Sequence, residues 1–312
     1  MERFIIDTDP GVDDAQAILL AAAHPNVKVE ALLAVGGNVG LEHTLRNAVT
    51  IAEQAGLDIP VYGGSNRPLI YLSDDAAAFH GADGLGDAGF VPQHSQPAPG
   101  HAAVKLVEMV NADPGEYTLV CLGPLTNIAI AIYLDPELPN KVKRTVAMAG
   151  AVTAHGNTPI FTAEFNIYYD PEAAYVVFES WARAGKQIEV IDWEATMRHS
   201  VNEAQLDRWM ALTSAKADFF QKISVRSIEF LEKIFGEKSL LAPDPLAMAV
   251  AVDPSCVKRQ ESHYLVVETT GKVTRGQTAV DWADRSGQPK NAVVVLDVDL
   301  DRFYELFEQG LQ

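Results

Sequence analysis

Short apolar runs rich in β-branched residues alternate with segments of helical periodicity from the first residues onward, and this alternation limits the possible architecture most. Residues 3–7 read as a strand, 12–23 as a helix, 27–35 as a strand and 41–55 as a helix. The pattern returns as a strand at 117–122, a helix at 124–133, a strand at 144–149, a helix at 171–184 and a strand at 187–192. Residues 262–268 and 291–298 add strands around a turn at Thr270-Gly271, and 299–309 closes the series as a helix. Near-continuous apolar strands joined by helices need a mainly parallel sheet covered on both faces. No Ser/Gly linker, low-complexity tract or repeat divides the chain. The expected fold class is therefore α/β: one domain over 1–312, with a Rossmann-like sheet flanked by helices.

Charge narrows the partners. The chain carries 24 Lys+Arg against 42 Asp+Glu, a net −18, which excludes nucleic acid, since that is held through clustered cations. An anionic membrane surface is disfavoured for the same reason, and the apolar run 17–23 is too short to span a bilayer. Cys121 and Cys256 form no CxxC pair, so neither a thiolate zinc site nor a disulfide framework is expected, and a reducing compartment fits. With no apolar leader at residues 1–7, the expectation is a soluble cytoplasmic protein.

The strongest local signal is Asp7-Thr8-Asp9-Pro10-Gly11-Val12-Asp13-Asp14, four carboxylates where the first strand ends, the place an α/β sheet offers a ligand. Helix capping accounts for Asp13 or Asp14, and a solvated turn for Asp7 and Asp9, but four like charges in eight residues repel one another. A hard cation resolves that repulsion, because Ca²⁺ and Mg²⁺ take carboxylate, carbonyl and water oxygens. Asp244, isolated before an apolar helix, reads on its own as an N-cap followed by Pro. The Asp7-Thr8-Asp9 pair also suggests the nucleophile of haloacid-dehalogenase-type phosphatases, but that pattern wants Thr or Val where Gly11 stands and leaves Asp13-Asp14 unexplained.

Several further features have plainer readings. Gly84-Leu85-Gly86-Asp87-Ala88-Gly89 matches GxGxxG but is followed by Phe90-Val91-Pro92 rather than a helix, so it reads as a flexible loop. Trp181, Trp193, Trp209 and Trp282 read as core or interface aromatics, Trp193 being the exception to watch because it follows a strand end. His24, His43, His94, His101, His155, His199 and His263 show no paired ligand spacing and read as surface or loop residues. Residues 65–100 and 153–166 lack periodicity and are candidate functional loops, while 201–236 reads as two helices, a cap.

Seven blocks together resemble the nucleoside hydrolase family of the inosine–uridine-preferring type. They are the acidic cluster through Ala15, Val35-Gly36-Gly37-Asn38, His80-Gly81-Ala82-Asp83-Gly84-Leu85-Gly86, Gly123-Pro124-Leu125-Thr126-Asn127-Ile128-Ala129, Met148-Ala149-Gly150-Ala151, residues 162–174 from Thr162-Ala163-Glu164-Phe165-Asn166 onward, and Asp244-Pro245-Leu246-Ala247. The resemblance covers essentially the whole chain. It implies the nucleoside hydrolase fold and hydrolysis of the N-glycosidic bond of ribonucleosides to ribose and free base, with Ca²⁺ in the pocket. Matched positions imply that Asp9, Asp14, the Leu122 carbonyl and Asp244 ligate the metal, with Asp9 also the general base on a metal-bound water. They imply that Asp13, Asn38, Met148, Asn157, Glu164 and Asn166 hold the sugar, with His80 and Phe165 near the base or the pocket wall. A homodimer or homotetramer is implied too. An acidic pocket suits this chemistry, since glycosidic cleavage passes through a cationic, oxocarbenium-like state. Asp7 is counted with that pocket.

One position departs from the pattern. Where many relatives carry His immediately before the last metal Asp, and others Trp, this chain has Pro243. The leaving-group acid is then open among His80, Arg226 and Tyr71, and so is the choice between purine and pyrimidine. The missing acid also keeps open a nucleoside- or ribose-binding protein with weak hydrolase activity.

Overall fold

A computed structural model describes residues 1–312. Eleven strands form, β1 (Glu2–Thr8), β2 (Val27–Ala34), β3 (Val61–Gly63), β4 (Ala98–His101), β5 (Tyr117–Cys121), β6 (Arg144–Met148), β7 (Ile188–Ile191), β8 (Val257–His263), β9 (Leu265–Val267), β10 (Thr278–Val280) and β11 (Ala292–Val298). Nine of them make one sheet in the order β4-β3-β2-β1-β5-β6-β7-β11-β8, parallel throughout except for β8, which runs antiparallel to β11 at one edge. The α/β, mainly parallel arrangement read from the alternation is the one observed. Helices Val12–Ala23 and Leu41–Ala55 fall on the expected bounds.

Both faces of the sheet are covered, which explains the near-continuous apolar strands. Phe4, Ile6, Leu32 and Val120 enter one core cluster with helices Val12–Ala23 and Pro243–Val252, while Ile5, Leu33, Leu119 and Ala147 enter the other with helix Pro171–Arg183. The chain winds outward from β1 through β2, β3 and β4, then returns to place β5 on the other flank of β1. That reversal makes the carboxyl ends of β1 and β5 a topological switch point, where the connecting loops diverge and leave a crevice.

Three expectations need correction. Residues 262–268 are not one strand: the chain breaks at Tyr264, leaving β8 on the main sheet and β9 in a separate two-stranded sheet with β10. Asn291 buries its amide at this break, accepting from Leu265 N and donating to the Phe178 and Leu265 carbonyls, so the two strands are held apart. The loop at 84–89 is ordered by one side chain, because the Asp83 carboxylate accepts from the backbone N–H of Leu85, Asp87 and Gly89. His199 and His263 are buried rather than at the surface, and His199 accepts from Val298 N. No helix is long and apolar enough to cross a membrane.

Candidate active site

The acids of the first loop are buried where the sheet order reverses. β1 ends at Thr8, the turn carries Asp9, Pro10 and Gly11, and helix Val12–Ala23 opens with Asp13 and Asp14 in its first turn, where the helix dipole favours negative charge. Asp244 arrives from the opposite end of the sequence, in the first turn of helix Pro243–Val252. This corrects its N-cap reading: Pro243 already lies inside the helix, so the Asp244 side chain is free to face the crevice. One carboxylate oxygen each from Asp13, Asp14 and Asp244 lie within 4.8 Å of one another.

Each carboxylate is held in its own way. Asp14 accepts from Thr8 Oγ1, from Gly11 N at 2.8 Å and from Asn38 Nδ2 at 3.1 Å. Asp9 Oδ2 accepts from Asn38 N at 2.7 Å, while its Oδ1 is buried without a hydrogen-bond partner. Backbone presses on both sides of Asp9: a Cβ at Gly37 would meet Oδ2 at 2.1 Å and one at Gly123 would meet Oδ1 at 2.6 Å. Those two glycines let the loops after β2 and β5 close on the carboxylate.

Burial dominates the electrostatics. It raises Asp9 well above the usual carboxylate range, reinforced by the charge of Asp14, and lifts Asp13 to about 6. Burial and then the Asp13 charge bring Asp14 to about 6; burial, with the charges of Asp13, Asp14 and Asp9, raises Asp244 well above its ordinary value. Four buried acids near one another, with unpartnered oxygens on Asp9 and Asp13, are the arrangement a hard divalent cation relieves. The residues present therefore fit such an ion. Asp7 does not belong to this group. It accepts from Asn127 Nδ2 at 2.8 Å, does not line the pocket, and burial pushes it up to about 8, so it serves as a neutral buried link between β1 and helix Thr126–Leu134.

Above the acids lies a cavity of about 380 Å³. Its lining includes the expected Asp13, Asn38, His80, Leu122, Met148, Asn157, Glu164, Phe165, Asn166 and Asp244, with Asp9 and Asp14 beneath. Glu164 caps helix Phe165–Tyr169, accepting from Asn166 N and Ile167 N, and also accepts from Gly150 N; burial still raises it to about 7. Asn166 donates its amide to the carbonyls of Leu122 at 2.8 Å and Met148 at 3.1 Å, which leaves the Leu122 oxygen one further lone pair. His80 Nδ1 accepts from Val12 N at 3.2 Å, so its proton sits on Nε2, and burial lowers it to about 4. His80 thus enters the pocket as a neutral N–H donor.

The outer wall is aromatic and apolar, and most of it escaped the sequence reading. Phe79, Trp193, Phe230, Ile234, Phe235 and Leu241 line it. Trp193 is a wall residue, because the turn after β7 carries it over the crevice, whereas Trp181 and Trp209 are core. One signal for the others was present: helix Ala215–Phe235 buries Phe219, Phe220, Ile223 and Leu231, yet carries a second set, Val225, Phe230, Ile234 and Phe235, that the core leaves exposed. Of the candidate leaving-group residues only His80 lines the pocket. Arg226 is paired with Asp87 at 2.8 Å and Tyr71 lies exposed beneath Arg275.

The sequence profile of the inosine-uridine preferring nucleoside hydrolases matches residues 4–305. An inosine-uridine preferring nucleoside hydrolase of Leishmania major is 33% identical over 99% of this chain and 97% of its own. A pyrimidine-specific ribonucleoside hydrolase of Salmonella typhimurium is 35% identical over 99% and 97%. The solved structure of a purine-preferring ribonucleoside hydrolase from Gardnerella vaginalis superposes with a TM-score of 0.90 at 29% identity, covering 99% of this chain and 98% of that one. Similarity of this breadth, on a pocket of this composition, settles the family: the chain belongs to the inosine-uridine preferring nucleoside hydrolases, glycosidases that act on the N-glycosyl bonds of ribonucleosides.

Proposed function

We propose that the chain hydrolyses ribonucleosides to ribose and free base with Asp9 as general base and a Ca²⁺ ion held by Asp9, Asp14, Asp244 and the Leu122 carbonyl. The observation that carries this reading is the convergence of Asp13, Asp14 and Asp244 within 4.8 Å, beside the unpartnered oxygen of Asp9. A bound Ca²⁺ supplies positive charge that acidifies a water and anchors vicinal hydroxyls. Asp9, its Oδ2 fixed by Asn38 N, would take on Oδ1 the proton of the water that adds to C1′ while the C1′–N bond breaks and the base leaves with the bonding electrons, to be protonated from solvent. Asp13, Asn38, Met148, Asn157, Glu164 and Asn166 face the ribose, and the carboxylates among them stabilise the positive charge that develops on the sugar. Phe165 closes the pocket wall near the base. His80 offers its Nε2–H to the base or its neighbouring sugar oxygen.

The test is release of reducing sugar from a panel of ribonucleosides by metal-loaded protein; no release from any of them overturns the reading. Activity on a nitrophenyl riboside together with unproductive binding of inosine and uridine supports instead the binding protein with weak hydrolase activity. A site whose polar groups are matched to a 2′-hydroxyl leaves them unpaired with a deoxysugar, so 2′-deoxyribonucleosides are expected to lose about 10⁴-fold in kcat/KM. A loss below tenfold in steady-state assays contradicts that contact set.

The base meets aromatic rather than acidic side chains. Phe79 packs edge-on to Phe230, with centroids 5.5 Å apart, and to His80, at 4.9 Å. Stacking a base on such a ring contributes about 1–3 kcal/mol, so Phe230→Ala is expected to raise KM about tenfold with kcat changed less. An unchanged KM in initial-rate measurements places the base elsewhere. The exposed apolar side chains Ile70, Tyr71, Leu72 and Phe161 support a homodimer or homotetramer, which light scattering reads, and two buried free cysteines suit a cytoplasmic setting.

A further inference from the structure

The pocket wall contains an acid that the sugar and metal chemistry does not use. Glu194 is the second residue of helix Trp193–Arg198, buried, and not part of the lining of the cavity to which its neighbour Trp193 contributes. Its carboxylate accepts from Thr153 N at 2.9 Å, Thr153 Oγ1 at 2.8 Å and His155 N at 2.9 Å. Between those two residues stands Ala154 with φ +65°, a left-handed conformation that costs a non-glycine residue energy and persists only where the surroundings enforce it. Glu194 grips both sides of that strained residue. Two positions beyond His155, Asn157 enters the pocket lining.

We propose that Glu194 is a positioning residue: by clamping the Thr153–His155 turn through its strained Ala154, it fixes Asn157 against the ribose. The inference rests on the placement of Asn157 at the sugar given above. Neighbouring bonds are consistent with a loop pinned along its length. Asp192 accepts from Val152 N at 3.4 Å, Gly156 N donates to Phe161 O at 2.7 Å and Asn157 N to Ala163 O at 3.1 Å. Of these fastenings only Glu194 spans the strained residue. Burial and then the adjacent Glu194 carboxylate push Asp192 up to about 8. Burial alone would raise Glu194, but hydrogen bonds from Asp192, His155 and Thr153 outweigh it and keep it ionised as an acceptor.

A double-mutant cycle on the metal-loaded protein tests the proposal. Glu194→Ala is expected to raise KM for a ribonucleoside about tenfold, because small misplacements of a substrate contact are costly, while the midpoint of a Ca²⁺ titration stays within twofold. Asn157→Ala should give a similar loss, and the double variant should be no worse than the poorer single variant, since both remove one interaction. Glu194→Gln keeps one oxygen for the three donors and can donate to Asp192, so it should remain within threefold of the parent. Multiplicative effects in the double variant, or a KM unchanged in Glu194→Ala, overturn the inference while the hydrolase reading stands. Absence of turnover in the parent chain overturns that reading first and the inference with it. Should Glu194→Ala fail to fold, Thr153→Val removes only the hydroxyl donor and should still raise KM by at least threefold; no change there counts against the clamp.

Discussion

Asp9→Ala is expected to lower kcat by about 10³-fold or more in a chain that still folds, a loss at the upper part of the range for a general base. Replacement removes a buried carboxylate whose Oδ1 has no partner and lies against Gly123, and whose Oδ2 is held by Asn38 N and lies against Gly37. Asp9→Asn is the sharper variant. It keeps the shape between Gly37 and Gly123 and an oxygen for Asn38 N, but turns an amide towards the metal site and cannot take a proton. Burial makes Asp9 a destabilising charge when no cation is present, so metal-free Asp9→Asn should melt at or above the parent temperature while being as inactive as Asp9→Ala. A kcat within tenfold of the parent in either variant removes Asp9 from the base role.

Removal of the cation is expected to abolish turnover and to reverse the pH dependence of stability. Asp13 and Asp14 are raised to about 6, Glu164 to about 7 and Asp7 to about 8, all chiefly by burial. A carboxyl whose folded pKa exceeds its unfolded value near 4 stabilises the fold fully below that unfolded value, and the contribution is lost as pH rises through the folded pKa. Metal-free protein should therefore be most stable near pH 4–5 and lose on the order of a few kcal/mol towards pH 8. A cation binds the ionised forms, so added Ca²⁺ should raise the melting temperature most at pH 8 and least at pH 5. Asp244→Ala should shift the Ca²⁺ titration to about 100-fold higher concentration. Calorimetry across pH, with and without chelator, decides the matter: a metal-free melting temperature that climbs from pH 5 to pH 8 contradicts the burial argument.

The elements nearest the site were the most legible ones. Asp13 and Asp14 could be placed because Pro10-Gly11 forces a turn between an apolar strand and a strongly helical segment, and local chemistry alone decides that. The three-residue strands β3 and β10 were not legible, and β9 was legible only as part of a longer strand, since three residues show no period and their pairing depends on distant partners. Phe230 and Glu194 were missed for a different reason, and Trp193 was singled out only by its place after a strand end. A Trp after a strand packs equally well as core or as wall, and a second apolar face on a helix becomes a pocket only through what stands opposite it. Glu194 looks like an ordinary first-turn acid until the loop carrying Ala154 is laid beside it.

Asp14 and Asp244 stand about three quarters of the chain apart, yet share one cluster. An ion held between them would act as a removable cross-link that closes about three quarters of the polypeptide into a loop. Loop-closure entropy grows only logarithmically with length, so this long closure costs little more than a short one. The cluster does not exist until helix Pro243–Val252 has docked on helix Val12–Ala23. Cation capture at this cluster would then belong to the last stage of folding, since a chain still lacking its final quarter on the ribosome has no such cluster.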